Sequence, residues 1–180
     1  MSLPIKNIAI TDFEFTGLDP TLHEIIEVGV IVVGGETMNE ITRFESKIKP
    51  EHLENASGES LAIAGYVEKD WENALTLHDA LTKYLEVTKD CIFAAWCSPY
   101  DWIFLLEAFK KTGIKNPFGH RSIDLFTVAH EKLKNKEDIT GLGLSSLCTY
   151  FGIPKEPIPH RAINGAQSAF DIYKKLRELQ

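Results

Sequence analysis

The chain has 180 residues, of which 44% are hydrophobic, and its formal net charge is −7 at pH 7. This length and apolar content predict one domain over residues 1–180 that buries a full core without disulfides or a structural metal. The net negative charge argues against a protein that holds nucleic acid by its overall field. Any such binding must depend on a local basic patch or on bound cations.

Neither the cysteines nor the most apolar segment indicates secretion or a membrane. The three cysteines are odd in number, widely spaced and without a metal-finger pattern, which is typical of a reducing cytoplasm. The most hydrophobic run, residues 25–33, is short and interrupted by Glu27. We therefore expect a cytoplasmic location, no membrane span and no membrane partner. Residues 1–3 are a candidate remnant of cloning.

Strand patterns dominate the first quarter of the chain, and helical patterns follow. Three strand-like segments, the first two apolar, are predicted at residues 8–15, 25–33 and 40–48, the last after the Gly34-Gly35 turn. A helical region is predicted at 60–87 and a buried strand at 91–96. Further helices are predicted at 100–112, 124–133, 144–151 and 159–175. This order predicts an α/β class with a mixed sheet.

Asp12 and Glu14 lie two residues apart in the first predicted strand, so their side chains project from the same face. Close carboxylates repel each other unless one is protonated or a cation bridges them, and oxygen ligands of this kind suit Mg²⁺ or Mn²⁺. An isolated Asp-x-Glu is more often a solvated strand end. The pair alone therefore leaves both interpretations open.

Asp101 and His160 are ambiguous when each is considered alone. Asp101 follows the strand at 91–96 and opens a helix, where aspartate commonly caps free backbone amides. The end of a strand beside the first one is also where an open α/β sheet collects functional groups. His160 lies between Pro159 and Arg161, and by itself is typical of an ordinary surface histidine.

Taken together, these residues carry a family resemblance. The segments DFEFTGLDP (12–20), EIIEVGV (24–30), LSSLCTYFGI (144–153) and HRAINGA (160–166), with Asp101 between them, resemble in order and spacing the DEDDh branch of the DnaQ-like 3′-to-5′ exonucleases. Weaker family signatures match at residues 62–66 and 123–130. The resemblance implies an RNase H-like fold, with a central mixed five-stranded sheet of three antiparallel and then two parallel strands, flanked by helices.

The resemblance also implies a cofactor and roles for individual residues. Two divalent ions, Mg²⁺ or Mn²⁺, would assist hydrolysis of the 3′-terminal phosphodiester of single-stranded DNA or RNA, with release of nucleoside monophosphates. Asp12 would contact both ions, Glu14 the nucleophile-side ion and Asp101 the leaving-group ion, while His160 would accept the proton from water. The pocket for the last nucleotide would be lined by Phe13, Thr16, Gly17 and Leu18.

Gly165 departs from this pattern. It lies inside the last predicted helix, where glycine costs about 1 kcal/mol relative to alanine, and it occupies the position of the family's fourth carboxylate. Asn164 is neutral and Asp171 lies on another face of the helix, so neither is a good substitute. The nucleophile-side metal site is therefore expected to be weakened. Two hypotheses remain open: a weak exonuclease, and an inactive domain that binds nucleic acid or a partner.

Overall fold

The computed structural model describes residues 5–179, so the candidate cloning remnant at residues 1–3 lies outside the described part of the chain. A five-stranded mixed sheet forms its centre. The strands are β1 (Ile8–Phe15), β2 (Ile25–Val33), β3 (Glu40–Lys47), β4 (Ile92–Ala95) and β5 (Ser122–Asp124). They are arranged in the order β3-β2-β1-β4-β5. The pairs β1–β2 and β2–β3 are antiparallel, and β4 and β5 continue in parallel from β1, which confirms the predicted fold class.

Helices cover both faces of this sheet. They are α1 (Gly58–Ile63), α2 (Glu68–Trp71), α3 (Leu77–Val87), α4 (Ser98–Thr112), α5 (Leu125–Leu133), α6 (Leu144–Phe151) and α7 (Ala162–Glu178). Within residues 5–179, no helix is both long enough and apolar enough to span a membrane.

The helical region predicted at 60–87 is divided in the structure into α1, α2 and α3. Gly65 follows α1 with a φ of 60°, a left-handed conformation that ends the helix and favours glycine. Thr76 then begins α3 as its N-cap, and its side chain accepts a hydrogen bond from the Asp79 backbone N–H.

Other predicted boundaries shift by one to three residues. The third and fourth strands are shorter than predicted, ending at Lys47 and spanning only Ile92–Ala95, and α4 begins two residues early at Ser98. Asp124 caps α5 instead of opening it. The last helix begins at Ala162 rather than at residue 159, because the proline-rich segment before it is extended.

Two hydrophobic layers pack against the sheet, and β1 contributes alternate residues to each. Ile8 and Ile10 face the layer that contains α5, α6 and α7. Ala9 and Phe13 face the layer that contains α3 and α4. By the same alternation, Asp12 and Glu14 continue the face that α7 covers. The amino-terminal end of α7 is therefore the part of the chain that meets these carboxylates.

The first turn of α7 lies unusually close to the sheet. A Cβ atom at Gly29 on β2 would overlap the α7 backbone at Ala162 and Ile163. Since Gly29 pairs with Asp12 in the β1–β2 register, this contact brings the start of the helix directly over Asp12. Two features of the sequence thus set this close approach: a glycine on the strand and, as described below, a glycine on the helix.

Candidate active site

Four of the residues predicted from the sequence lie around one cleft. Asp12, Phe13 and Glu14 line it from β1, and His160 lines it from the segment that precedes α7; its volume is about 430 Å³. Gly165, the predicted vacant ligand position, contributes to the wall on the helix side. The structure therefore brings together Asp12, Glu14 and His160, three of the four catalytic residues that the family resemblance implies.

Asp101 lies behind the cleft rather than in its lining. It belongs to the first turn of α4, and only 4% of its surface is exposed. Burial raises the pKa of its carboxyl well above the ordinary value, although the backbone N–H groups of Asp101 itself and of Phe13 oppose the rise. The carboxyl group therefore lies close to the β1 backbone at Phe13. Asp101 also raises the pKa of Asp12, so the two carboxyl groups are close enough to repel when both are ionised.

The carboxyl groups of β1 sit in an environment that disfavours negative charge. Burial, followed by repulsion from Asp101 and Glu14, raises the pKa of Asp12 well above its usual range. Burial and repulsion from Glu156 and Glu27 raise the pKa of Glu14 to about 7. Arg161 opposes this second shift only in part. Such a group of acids becomes favourable when a cation shares their oxygens.

His160 stands at the mouth of the cleft with 46% of its side chain exposed. Its backbone N–H donates to the Ile63 carbonyl at 3.0 Å, which fixes the segment against the end of α1. Its Nδ1 lies 3.7 Å from Oε2 of Glu156. The imidazole is thus both accessible to a solvent molecule and oriented beside a carboxylate.

Gly165 faces Asp12 directly. A Cβ atom at this position would lie 2.8 Å from Cγ of Asp12 and closer still to Oδ2. The helical position therefore points at the β1 carboxylates, and Asp12 occupies the space that a side chain there would need. The structure thus places Gly165 beside Asp12, and its role as a vacant carboxylate position stays a prediction.

A buried ion pair anchors the segment that carries His160. Glu27 on β2 is 1% exposed, and its Oε2 lies 2.8 Å from Nη2 of Arg161. Its Oε1 accepts a hydrogen bond of 3.1 Å from the Ala162 backbone N–H at the start of α7. Burial raises the pKa of Glu27 to about 7 although Arg161 pulls it down. Glu27 thereby fixes the chain at the residue that follows His160.

The four residues of the predicted nucleotide pocket differ in burial and in their contacts. Phe13 is buried in the α3–α4 layer and only borders the cleft. Thr16 is buried, and its Oγ1 accepts from the Glu24 backbone N–H. Gly17 packs against the His23 ring, and Leu18 is 73% exposed. The roles of these residues in holding a nucleotide stay a prediction, with Leu18 the one side chain free to meet a base.

Glu156 is the cleft residue that sequence reasoning missed. Together with Glu14 and His160 it forms a group whose potential ligand atoms all lie within 4.8 Å of one another. Its only signal in the sequence is a carboxylate four residues before the histidine, in a run with prolines at 154, 157 and 159. Such a run has no periodicity, so its side chains could not be assigned to a face.

The donor set fits divalent cations. Asp12, Glu14, Asp101 and Glu156 offer carboxylate oxygens, the ligands that Mg²⁺ and Mn²⁺ prefer. Arg161 partly opposes the repulsion at Glu14 but is already paired with Glu27, and Lys155 also lines the cleft. The residues present therefore suit a site for divalent ions at the end of β1.

Comparisons with known proteins agree with this geometry. The family model RNase_T, described as "Exonuclease", matches residues 9–173. The chain is 29% identical over 175 residues to a DNA polymerase III PolC-type protein of Thermotoga maritima, which covers 94% of this chain and 12% of that protein. A PolC-type protein of Caldanaerobacter subterraneus is 26% identical over 171 residues. The chain thus spans about an eighth of the length of these curated relatives.

Solved structures share the fold at lower sequence identity. The nuclease domain of 3′hExo, a DEDDh family member solved with bound rAMP, superposes with a TM-score of 0.79 at 21% identity, covering 96% of this chain and 92% of that one. Exonuclease I of E. coli in a zinc-bound complex with single-stranded DNA gives 0.82 at 14% identity, covering 98% and 41%. From its match to the RNase_T model over residues 9–173, the chain belongs to this exonuclease family, and its mixed five-stranded sheet gives it the RNase H-like fold of the solved exonuclease structures.

Proposed function

We propose that this domain is a metal-dependent 3′-to-5′ exonuclease that acts on single-stranded nucleic acid ends and releases nucleoside monophosphates. The single observation that carries the proposal is the convergence of Asp12, Glu14 and His160 on one cleft, with Asp101 buried behind Asp12. Carboxylates at a solvated strand end have no reason to be surrounded by further buried acids, whereas a hydrolytic metal site needs several acids close together.

In this proposal the acidic residues hold the ions and the histidine moves the proton. Asp12, Glu14 and Asp101 would bind two divalent ions, which when present lower the pKa of water and offset charge on the phosphodiester. His160, half exposed at the mouth of the cleft, would accept the proton from the attacking water. Leu18 would pack against the terminal base, and the backbone of residues 16–18 would orient the last nucleotide.

The loop that would hold this nucleotide is already fixed in position. The Tyr100 hydroxyl donates to the Leu18 carbonyl at 2.6 Å, and the Thr16 carbonyl accepts from the Ser57 backbone N–H at 2.7 Å. The rings of Phe15 and Phe104 stack with their centroids 4.0 Å apart. A preorganised loop loses little conformational entropy when substrate binds, which favours a binding role for this segment.

The second candidate function is an inactive domain that binds nucleic acid or a partner, and Gly165 is the observation that favours it. The family's fourth carboxylate is absent there, and the side chain of Asp12 fills the space. Loss of one ligand weakens a metal site without changing the fold. Affinity for a nucleic acid strand would then persist without turnover.

A 5′-labelled strand distinguishes the two functions. We expect single-stranded DNA or RNA incubated with Mn²⁺ to give a ladder that shortens from the 3′ end, with less product in Mg²⁺ and none in a chelator. Mn²⁺ is favoured because Mg²⁺ demands near-ideal octahedral geometry and dehydrates reluctantly. Because the label stays on the shortened strand, digestion from the 5′ end would instead release it in the first step.

Matched variants connect this activity to the cleft. Asp12→Asn should abolish the ladder, whereas Asp138→Asn, an equal change of charge at an exposed turn between α5 and α6, should leave it unchanged. Asp12→Ala should abolish Mn²⁺ binding measured by calorimetry. An intact strand with both ions and a folded parent protein would overturn the exonuclease and favour the binding domain.

A further inference from the structure

We infer that Glu156, in the extended segment before α7, supplies the carboxylate that Gly165 lacks and helps Glu14 to hold the nucleophile-side divalent ion. This inference rests on the proposed function and deepens it. It assigns a metal ligand outside the four positions given by the family resemblance. It also predicts that the site retains four carboxylates, from Asp12, Glu14, Asp101 and Glu156, instead of three.

The first support is proximity within the cleft. One oxygen of Glu14, one oxygen of Glu156 and one ring nitrogen of His160 lie within 4.8 Å of one another. Glu156 and Gly165 both line the same cleft as Asp12 and Glu14. An ion with ligand distances of about 2 Å places opposite ligands about 4 Å apart, so small side-chain movements would bring these atoms to a single ion.

The second support is the way in which the carboxylate is held. Oε1 of Glu156 accepts a hydrogen bond of 3.1 Å from the Arg161 backbone N–H, while Oε2 lies 3.7 Å from the His160 ring. Only 15% of the side chain is exposed. One carboxylate oxygen is thus held by the backbone, while the other lies beside the His160 ring in the cleft, where an ion can share it.

The segment around Glu156 is restricted although it is not helical. The prolines at 154, 157 and 159 limit the backbone through their fixed φ angles. At its far end the chain is fixed by the ion pair between Arg161 and Glu27, with the Arg161 guanidinium 5.5 Å from the centre of the Trp71 ring. The position of Glu156 is therefore set by packing and not by the flexibility of a loop.

The third support is the exclusion of a side chain at position 165. A Cβ atom there would lie 2.8 Å from Cγ of Asp12 in its present conformation, so the parent helix contributes no side chain to this part of the cleft. A further carboxylate can then come only from another element that lines the cleft. The segment that precedes α7 provides one in Glu156.

The test measures Mn²⁺ binding directly, by electron paramagnetic resonance of the free ion, with the intact domain. Glu156→Gln removes the charge but keeps an oxygen that can accept from the Arg161 N–H, so the segment should keep its conformation. We expect about a tenfold or greater loss of Mn²⁺ affinity, since even partners outside the ligand shell change affinity by 10- to 100-fold. The matched control is Glu137→Gln, at an exposed position in the turn after α5 that does not line the cleft.

A second variant identifies what the lost group did. Gly165→Asp in the Glu156→Gln background returns a carboxylate to the helix, and we expect it to recover most of the lost affinity. A purely structural role for Glu156 would not be rescued in this way, because the segment before α7 would remain altered. The same double variant should regain nuclease activity that the single variant loses.

Different outcomes separate the two proposals. If the parent binds Mn²⁺ and Glu156→Gln binds it equally well, Glu156 is not a ligand, and the proposed function stands without it. If affinity is unchanged but the rate of strand shortening falls, Glu156 acts through His160, which also overturns the inference. If the parent binds no Mn²⁺ at millimolar concentrations, the proposed function fails and the inference fails with it.

Discussion

Replacing Gly165 with aspartate tests most directly whether the helix faces the metal site. The position is buried in α7, and its Cβ atom would lie 2.8 Å from Cγ of Asp12. The Asp12 carboxylate must therefore rotate toward the cleft to admit the new side chain. The Gly165→Asp variant then presents two adjacent carboxylates to the space beside Glu14.

Without metal, the Gly165→Asp substitution changes the free energy of unfolding in two opposite directions. Aspartate recovers only a few tenths of a kcal/mol of the roughly 1 kcal/mol that glycine costs in a helix. Two carboxylates about 4 Å apart repel by about 4 kcal/mol at an effective dielectric constant of about 20, and less if one is protonated. Repulsion exceeds the helix gain, so the metal-free variant should be less stable by up to a few kcal/mol. For a domain of this size, that lowers the melting temperature by roughly 2–4 °C per kcal/mol.

Mn²⁺ should reverse this loss, because the ion binds the folded variant and not the unfolded chain. The measurement is a thermal melt with chelator and with Mn²⁺, together with the rate of strand shortening. Gly165→Ala adds the Cβ atom alone, and Gly165→Asn adds a neutral side chain of equal size. We expect only the aspartate to gain stability with Mn²⁺ beyond the parent's own gain, and to raise the exonuclease rate.

Two control variants separate the effect of a carboxylate at position 165 from other effects of the substitution. If the aspartate and asparagine variants respond equally to Mn²⁺ while both remain folded, position 165 does not face the ion. In the aspartate background, His160→Ala should reduce the rate by roughly 10²- to 10⁴-fold, the usual contribution of a positioned proton acceptor. Unchanged activity in that double variant would remove His160 from the mechanism.

The charge and shape of the cleft also determine its response to pH and to the form of the substrate. The folded-state pKa values of Glu14 and Glu27 are raised from 4.5 to about 7, so the folded chain binds more protons than the unfolded chain between these values. Stability without metal should therefore fall as pH rises through this window, and a melting temperature in chelator that rises instead would contradict the burial of these acids. Single-stranded ends should bind better than a blunt duplex, because the nucleotide pocket proposed at residues 16–18 would take an unpaired base, and affinity should fall with added salt. Equal fluorescence anisotropy titrations for the two forms would contradict that assignment.

Regular periodicity explains which parts of the fold were predictable. The bounds of β1 and β2 follow from apolar runs, and the alternation along β1 correctly put Asp12 and Glu14 on one face. Residues 60–87 were predictable as a helical region, but not as three separate helices. The left-handed turn at Gly65 divides it, and a glycine within a helical pattern does not reveal by itself whether it is tolerated or ends the helix.

The site was predictable only in part, for a different reason. The family resemblance identified Gly165 as a vacant position, but a helical wheel could not show that Asp12 occupies its space. Neither the family resemblance nor the periodicity of the sequence identified Glu156. Its place beside Glu14 depends on the hydrogen bond from the Arg161 N–H and on the anchoring of that residue to β2, which are contacts between distant parts of the chain.

Glu27 connects these observations. In the sequence it only interrupts an apolar strand, and its position opposite Glu14 in the β1–β2 register adds repulsion to the site. A buried carboxylate with this cost is explained by its two partners, the Arg161 guanidinium and the Ala162 N–H. Those contacts fix the chain immediately after His160, so both the histidine and the carboxylate four residues before it are held over β1. The buried charge of Glu27, which adds repulsion to the cleft, is thus the same charge that positions the histidine proposed as its proton acceptor.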